Sequence, residues 1–298
     1  MRILISGGSG LIGSALSNRL SASGHTVVRL VRRPANAGEL TWDPRAGTLD
    51  PAAFDSCDAV INLSGAGIGE KRWTEQYKAE LLSSRVLATE LLARTMAGLD
   101  RKPDVFLSGS AVGWYGDRGD ERLDELSAPG ADFLSDICRQ WEAATVAAEK
   151  AGIRTVHLRT GIVLSAEGGA LKKQLPLFRL GLGGRFGNGH QWQSWISIDD
   201  EVGAILHLLS TEVCGAVNLT APNPVTNSEF ASTLGGVLHR PAVVPVPTFG
   251  PKLLLGGELV DSLLLAGQRV LPTALQRSGY EFHHATLDVA LRDVLHRS

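Results

Sequence analysis

The chain has 298 residues, 44% of them hydrophobic and 20% charged, with 29 basic and 31 acidic residues for a formal net charge of −2. So much apolar content excludes disorder as the main state, and the length suits one large α/β domain or one domain with a smaller appendage. The near-even charge argues against a dedicated nucleic-acid binder, which carries a basic face.

In chain order, Arg2–Ser6 reads as a strand and Leu11–Ser23 as a helix with apolar Leu11, Ile12, Ala15, Leu16 and Leu20. Thr26–Val31 and the unbroken apolar run Ala59–Leu63 read as strands, and a long helix is expected over about Thr74–Met96. A strand over Val105–Ser108, a helix over Phe133–Lys150 and a strand over Thr155–Leu158 follow. Strands that are apolar throughout and alternate with amphipathic helices are parallel and covered on both faces. Repeated βα units therefore predict an open, doubly wound, mostly parallel sheet of the Rossmann type.

Beyond residue 165 the texture changes to the Gly- and Trp-rich segment 181–195 and a stretch holding Pro241, Pro245, Pro247 and Pro251. Helices are expected there at about Asp200–Leu209, Asn227–Leu238 and Thr286–His296. The expected organisation is a sheet domain over 1–165 and, over 166–298, mainly a smaller C-terminal α/β cap that closes over the strand ends. Some segments of the second half return to the sheet.

Cys57, Cys138 and Cys214 are widely spaced and form no CxxC pair, which suits a reducing compartment. No His/Cys/Asp grouping has metal-ligand spacing, so no metal is expected. The opening run Met1–Ile5 is interrupted at once by glycines and followed by Asn18 and Arg19, so it reads as mature structure and not as a signal peptide. The apolar stretch Leu253 to Ala266 carries Glu258 and Asp261, which a membrane span rarely tolerates. The expectation is a soluble, cytoplasmic protein.

The strongest signal is Gly7-Gly8-Ser9-Gly10-Leu11-Ile12-Gly13, directly after the first strand and opening the first helix. It satisfies G-x-x-G-x-x-G through Gly7, Gly10 and Gly13. Absent side chains allow the tight turn and let a pyrophosphate approach backbone N–H groups at the positive end of the helix dipole. The strand-loop-helix context separates this motif from a glycine turn that only permits packing. The residue about 20 positions on reads the ribose, an acid there accepting the 2′-hydroxyl of NAD. Here that count lands on Arg32-Arg33 with no Asp or Glu nearby, and two guanidinium groups suit a 2′-phosphate. NADP is the expected cofactor.

These residues resemble the extended short-chain dehydrogenase/reductase superfamily. Further segments resemble its NAD-dependent epimerase/dehydratase-like branch with a small C-terminal domain of unknown function. They include Asn62-Leu63-Ser64-Gly65, Lys71-Arg72-Trp73, Ser108-Gly109-Ser110-Ala111-Val112-Gly113-Trp114-Tyr115-Gly116, Leu158-Arg159-Thr160-Gly161-Ile162 and Gly267-Gln268-Arg269. The resemblance spans essentially the whole chain. It implies that Leu63, Ser64 and Gly65 border the adenosine side of the cofactor, that Glu80 and Arg85 face the dinucleotide, and that Ser108 and Ile162 touch the cofactor, Ile162 at its nicotinamide end. The alternative for Glu80 and Arg85 is a solvated helix face. At a five-residue separation they are not an ideal ion pair.

The resemblance also implies a catalytic serine, matched by Ser110, followed by a Tyr-x-x-x-Lys pair in which the lysine lowers the tyrosine's pKa for proton exchange. The helix that should carry that pair has Leu134 and Cys138 in its places, and no Tyr-x-x-x-Lys occurs elsewhere in the chain. Tyr115, five residues after Ser110, is the replacement expected to present a phenol from a loop at the mouth of the sheet. Cys138 reads as a small buried residue before it reads as a nucleophile. His190, in a glycine-rich loop, is a proton-transfer candidate beside the alternative of a structural histidine.

Trp73, Trp114, Trp141, Trp192 and Trp195 all fall near expected strand C-termini. Trp73 and Trp192 are taken as substrate walls, while interdomain packing accounts better for Trp141 and Trp195. Arg72 and Arg179 are candidate clamps for an anionic substrate group, and Asp199-Asp200 reads first as a helix N-cap signal. The sum is a NADP(H)-binding oxidoreductase or epimerase-like enzyme acting as monomer or homodimer on a small-molecule substrate, with neither nucleic acid nor membrane as partner. The alternative is a non-catalytic regulatory protein that senses NADP(H).

Overall fold

The computed structural model describes residues 1–242, 245–247 and 249–296. Seven strands form the central sheet: β1 (Arg2–Ser6), β2 (Thr26–Val31), β3 (Glu39–Thr41), β4 (Ala59–Asn62), β5 (Val105–Ala111), β6 (Arg154–Thr160) and β7 (Gly215–Leu219). Their order is β7-β6-β5-β4-β1-β2-β3, and every neighbouring pair is parallel. The order reverses between β1 and β4, the place where doubly wound sheets open a crevice at their carboxyl ends.

The side-chain period of two divides each strand between two layers. Ile3 and Ile5 face one way, packing with Leu16 and Leu20 of α1 (Leu11–Ala22) and Val202 and Ile205 of α6 (Ile198–Leu209). Leu4, Val60 and Phe106 face the other way, against α2 (Glu75–Ala97) and Ala148 of α4 (Val146–Lys150). Each such fully buried aliphatic side chain contributes roughly 1.5–3 kcal/mol. The cap is a third core, built from Leu171, Leu175 and Phe178 of α5 (Gly169–Arg179), α7 (Asn227–Leu238), the buried Trp195 and the C-terminal helix α8 (Leu287–Val294). Trp195 is therefore core, as expected. Helix α6 and strand β7 lie in the second half of the sequence yet belong to the sheet layer.

Three elements differ from the sequence expectation. The helix over 133–150 is two helices, α3 (Phe133–Ala143) and α4, broken where the Thr145 hydroxyl donates to the Glu142 carbonyl at 2.7 Å and competes with the helical ladder. β3 is an additional edge strand, too short and too polar to show a pattern. The N-cap of α6 is Ser197, whose hydroxyl accepts the Asp200 N–H at 3.1 Å.

Asp200 itself turns inward and is fully buried. Its carboxylate accepts the backbone N–H groups of His283 and His284, each at 2.9 Å, and the Tyr280 hydroxyl at 3.0 Å. One acidic side chain thus ties the segment leading into α8 to the start of α6. No helix among the described residues is long and apolar enough to cross a membrane. Asp200→Ala leaves two buried N–H groups and a phenol without their acceptor. It should lower unfolding free energy by roughly 2–4 kcal/mol, measured by urea denaturation.

Candidate functional site

At the carboxyl end of β1 the chain has almost no room for side chains. Gly7 has a positive φ of 74°, and a Cβ there would lie 2.4 Å from the Leu63 carbonyl oxygen, which follows β4. A Cβ on Gly13 would lie 2.3 Å from the Gly7 oxygen, so the first turn of α1 sits directly on the loop. Gly10 is the N-cap of α1, with no side-chain cap and no acid in the first turn. The N–H groups of Leu11, Ile12 and Gly13 are the orphan donors of such a turn. Uncapped amides behind a side-chain-free loop form a cradle for a diphosphate. The glycine loop and Leu63-Ser64, distant in sequence, are brought together. Leu11 packs against Gly168 and Gly169, carrying the cap to the edge of the loop.

The corner beyond β2 holds an acid that counting along the chain misses. Glu39, on β3, has its side chain only 1% exposed and takes both arms of the Arg33 guanidinium, at 2.7 and 2.8 Å. Arg29 reaches the same carboxylate at 3.0 Å, and its aliphatic stem lies 3.0 Å from where a Gly8 Cβ would stand. The Arg33 bond foremost, then the Asn36 N–H, hold the Glu39 carboxyl down at about 2. The expectation of no acid near Arg32 and Arg33 is therefore corrected: the sheet register brings Glu39 opposite Arg29. Arg32 is exposed beside this cluster.

Glu80 and Arg85 separate. Glu80 is half-exposed, 3.9 Å from Arg45. Arg85 donates to the carbonyls of Leu81 (2.8 Å) and Ala66 (3.0 Å), backs onto Gly65 and stacks on Trp141 at 5.1 Å. Burial draws its pKa below the usual arginine value. Trp141 is buried and donates its indole N–H to Thr89 at 3.0 Å, a packing role as expected.

The centre at the end of β5 is closed by its own partners. Ser110 is buried and its hydroxyl donates to Glu142 at 2.7 Å. Glu142, in α3, is forked by Arg159 at 2.8 and 3.0 Å, and Arg159 lies 3.9 Å over the Trp114 ring. Tyr115 is fully buried, donating to Asn218 at 2.6 Å and accepting from Arg159 at 3.1 Å. Burial outweighs the Arg159 charge and pushes the phenol up to about 12. Tyr115 thus presents no phenol at the mouth, which corrects the loop expectation. The strand extends three residues beyond Ser108 and carries the following turn inward. Cys138 is buried, and burial together with Glu142 pushes its thiol up to about 12. The phenol and thiol keep their protons at neutral pH. Ser108 is buried with no partner for its hydroxyl among the described residues, and Ile162 is half-buried just beyond β6.

The expected substrate residues are held by separate neighbours. Trp73 is buried against Phe133, its indole N–H donating to Ile68 at 2.9 Å, so it is core and not an exposed wall. Arg72 lies along Gly256. Exposed Arg179 ends α5, its carbonyl accepting from Arg240 at 3.0 Å. His190 is exposed. Half-buried Trp192 donates to Asp120 at 2.7 Å with Arg269 over its ring at 4.1 Å. Folding also gathers Asp199, His284 and Asp293 within 4.8 Å, a grouping that the 3.3 Å contact between His284 and Asp293 accounts for.

Glu201, next to the cap of α6, was absorbed in the sequence by the Asp199-Asp200 capping signal. It is fully buried, accepts the Thr160 hydroxyl at 2.9 Å at the end of β6, and has no partner for its second oxygen among the described residues. Burial pushes it up from 4.5 to about 8. Only the surroundings of the side chain reveal this, because burial has no one-residue signature.

Residues 3–219 match the NAD dependent epimerase/dehydratase family, and residues 246–294 match a domain of unknown function, DUF1731. The chain is 45% identical over 291 residues to an epimerase family protein of Mycobacterium leprae, covering 97% of this chain and 94% of that one. It is 38% identical to the human epimerase family protein SDR39U1, over 99% of this chain and all of the relative. Among solved structures, human SDR39U1 with NADPH superposes with a TM-score of 0.91 at 36% identity, covering 99% of each chain. A UDP-glucose 4-epimerase of Thermus thermophilus with NAD shares the fold, with a TM-score of 0.75 at 18% identity, covering 99% of each chain.

The unfolded Glu201 carboxyl loses its proton near 4.5 while the folded one keeps it to about 8, so the folded state binds more protons across that window and stability falls as pH rises through it. Glu201→Gln removes this penalty. It should leave unfolding free energy almost unchanged near pH 4.5 and raise it by roughly 4 kcal/mol at pH 8, measured by denaturant melts across that range.

Proposed function

The chain belongs to the NAD dependent epimerase/dehydratase family, and from that premise we propose that it binds NADP(H) and works as an oxidoreductase or epimerase-like enzyme on a small-molecule substrate. One observation carries the reading: an uncapped helix N-terminus faces a loop in which Gly7 and Gly13 leave no space for a Cβ. The diphosphate rests on the amides of Leu11, Ile12 and Gly13, and the guanidinium groups of Arg32 and Arg33 receive the 2′-phosphate. Leu63, Ser64 and Gly65 border the adenosine. The NADPH in the structure of the human relative supports this choice of nucleotide.

When bound, the cofactor supplies or accepts hydride. The chain's own part is to bind and orient. The Ser110 hydroxyl is tied up as a hydrogen-bond donor to a carboxylate that Arg159 neutralises, and Tyr115 and Cys138 keep their protons at neutral pH, so this cluster is poorly set to relay a proton. That closed network supports a second reading, a non-catalytic NADP(H)-sensing regulatory protein, more than the site of an average enzyme of this fold would. In either case the protein acts in the cytoplasm as monomer or homodimer, without nucleic acid or membrane as partner.

Fluorescence titration should show NADPH binding at least about tenfold more tightly than NADH, and Arg32→Ala should remove most of that margin while leaving NADH affinity unchanged. Equal affinity for the two nucleotides in the wild-type protein rejects the NADP assignment. A carbonyl-substrate screen following NADPH absorbance separates the two readings. Turnover that Ser110→Ala abolishes supports the enzyme, and tight binding without turnover supports the sensor.

A further inference from the structure

Glu39, on the neighbouring strand β3, is the carboxylate that meets Arg29 of β2 and Arg33 just beyond it. Its oxygens are already engaged. Oε1 accepts from Arg33 at 2.8 Å and lies 3.0 Å from the Arg29 guanidinium as an ion pair, while Oε2 accepts from Arg33 at 2.7 Å and from the Asn36 N–H at 2.9 Å. The carboxylate is inside, with 1% of its side chain exposed, whereas the two arginines keep 54% and 43% of theirs toward solvent.

We infer that Glu39 is a positioning residue that selects the phosphorylated dinucleotide, by holding Arg33 and Arg29 as an oriented pair beside the glycine loop. The inference rests on the NADP reading above and adds the residue that orients the cations, as well as a third cation, Arg29. Two features of the geometry carry it. A bidentate fork fixes the plane of Arg33, and a free guanidinium gives up much rotamer entropy when it clamps a phosphate. Arg29 is stretched between the Glu39 carboxylate and the backbone of Gly8, which sets its stem against the loop that cradles the diphosphate. A buried carboxylate that already accepts three hydrogen bonds and pairs with a second guanidinium has little left to offer a ribose hydroxyl. Glu39 therefore gives NAD no advantage although it is an acid.

The test compares NADPH and NADH affinities, by fluorescence titration, for the wild type, Glu39→Ala, Glu39→Gln and Arg29→Ala. Both Glu39 variants should weaken NADPH about tenfold and leave NADH within about twofold, because only the 2′-phosphate loses its oriented partners. Arg29→Ala should lose NADPH selectively as well. A merely structural role would lower both affinities together and leave their ratio unmoved, and that result overturns the inference. So does tighter NADPH binding in Glu39→Ala, which would mean the carboxylate only repels the phosphate. A wild-type protein that fails to prefer NADPH rejects the cofactor reading along with it. A wild type that prefers NADPH and a Glu39→Ala protein that keeps the preference reject the Glu39 inference alone. Should Glu39→Ala fail to fold, Glu39→Gln and the surface variant Arg29→Ala decide the matter by the same ratio.

Discussion

The contact between the glycine loop and the end of β4 governs the rest of the molecule. With Gly7 against the Leu63 carbonyl and Gly13 against the Gly7 oxygen, the first turn of α1 is drawn over the crevice between β1 and β4. A methyl group at either position would overlap backbone, which cannot move aside as a flexible side chain can. The approach directs the unsatisfied amides of α1 into the crevice. It also explains why α1 has neither a capping side chain nor an acid in its first turn, since either would compete for the same donors. The cap depends on the same corner, because Leu11 rests on Gly168 and Gly169 where the chain enters α5.

Two polar clusters flank this corner, and they differ in kind. Around Glu39 the acid is inside and the guanidinium groups stay partly open, so the cluster retains donors that a ligand can use. Around Glu142 both charges are inside. Arg159, Ser110 and Tyr115 are all buried and point at one another, and the Trp114 ring covers the cation. In a low-dielectric interior such a network is stable only when its members satisfy each other. Satisfaction is what withdraws the serine and the phenol from proton transfer. The molecule therefore has the means to hold a charged ligand at one end of the crevice and little acid–base capacity at the other.

Much of the fold is readable along the chain. Strands β1, β2, β4, β5 and β6 are apolar runs because both faces of a parallel sheet are covered, and a run of that kind survives as a local pattern. The glycine spacing is equally local, since the turn and the helix that use it are contiguous. Helix α7 begins and ends where the periodicity places it, with the Thr226 and Glu229 capping box at its start. The missing Tyr-x-x-x-Lys pair is also a local reading. The misplaced features turn on individual side-chain hydrogen bonds that no residue pattern announces. Thr145 breaks the helix over 133–150 by a single hydroxyl bond, and Tyr115 is drawn in by partners 44 and 103 residues away.

The linear chain by itself determined the layer architecture, the side-chain-free turn into α1 and the arginines that follow β2, because each depends on neighbours within a turn or a strand. The tertiary structure alone decided which charges meet. Glu39 faces Arg29 through strand pairing, Glu142 reaches Arg159 across helix and sheet, and Asp200 anchors a segment some 80 residues downstream. Electrostatic and hydrogen-bonding partners are set by distances in space and by burial, to which separation along the sequence is blind.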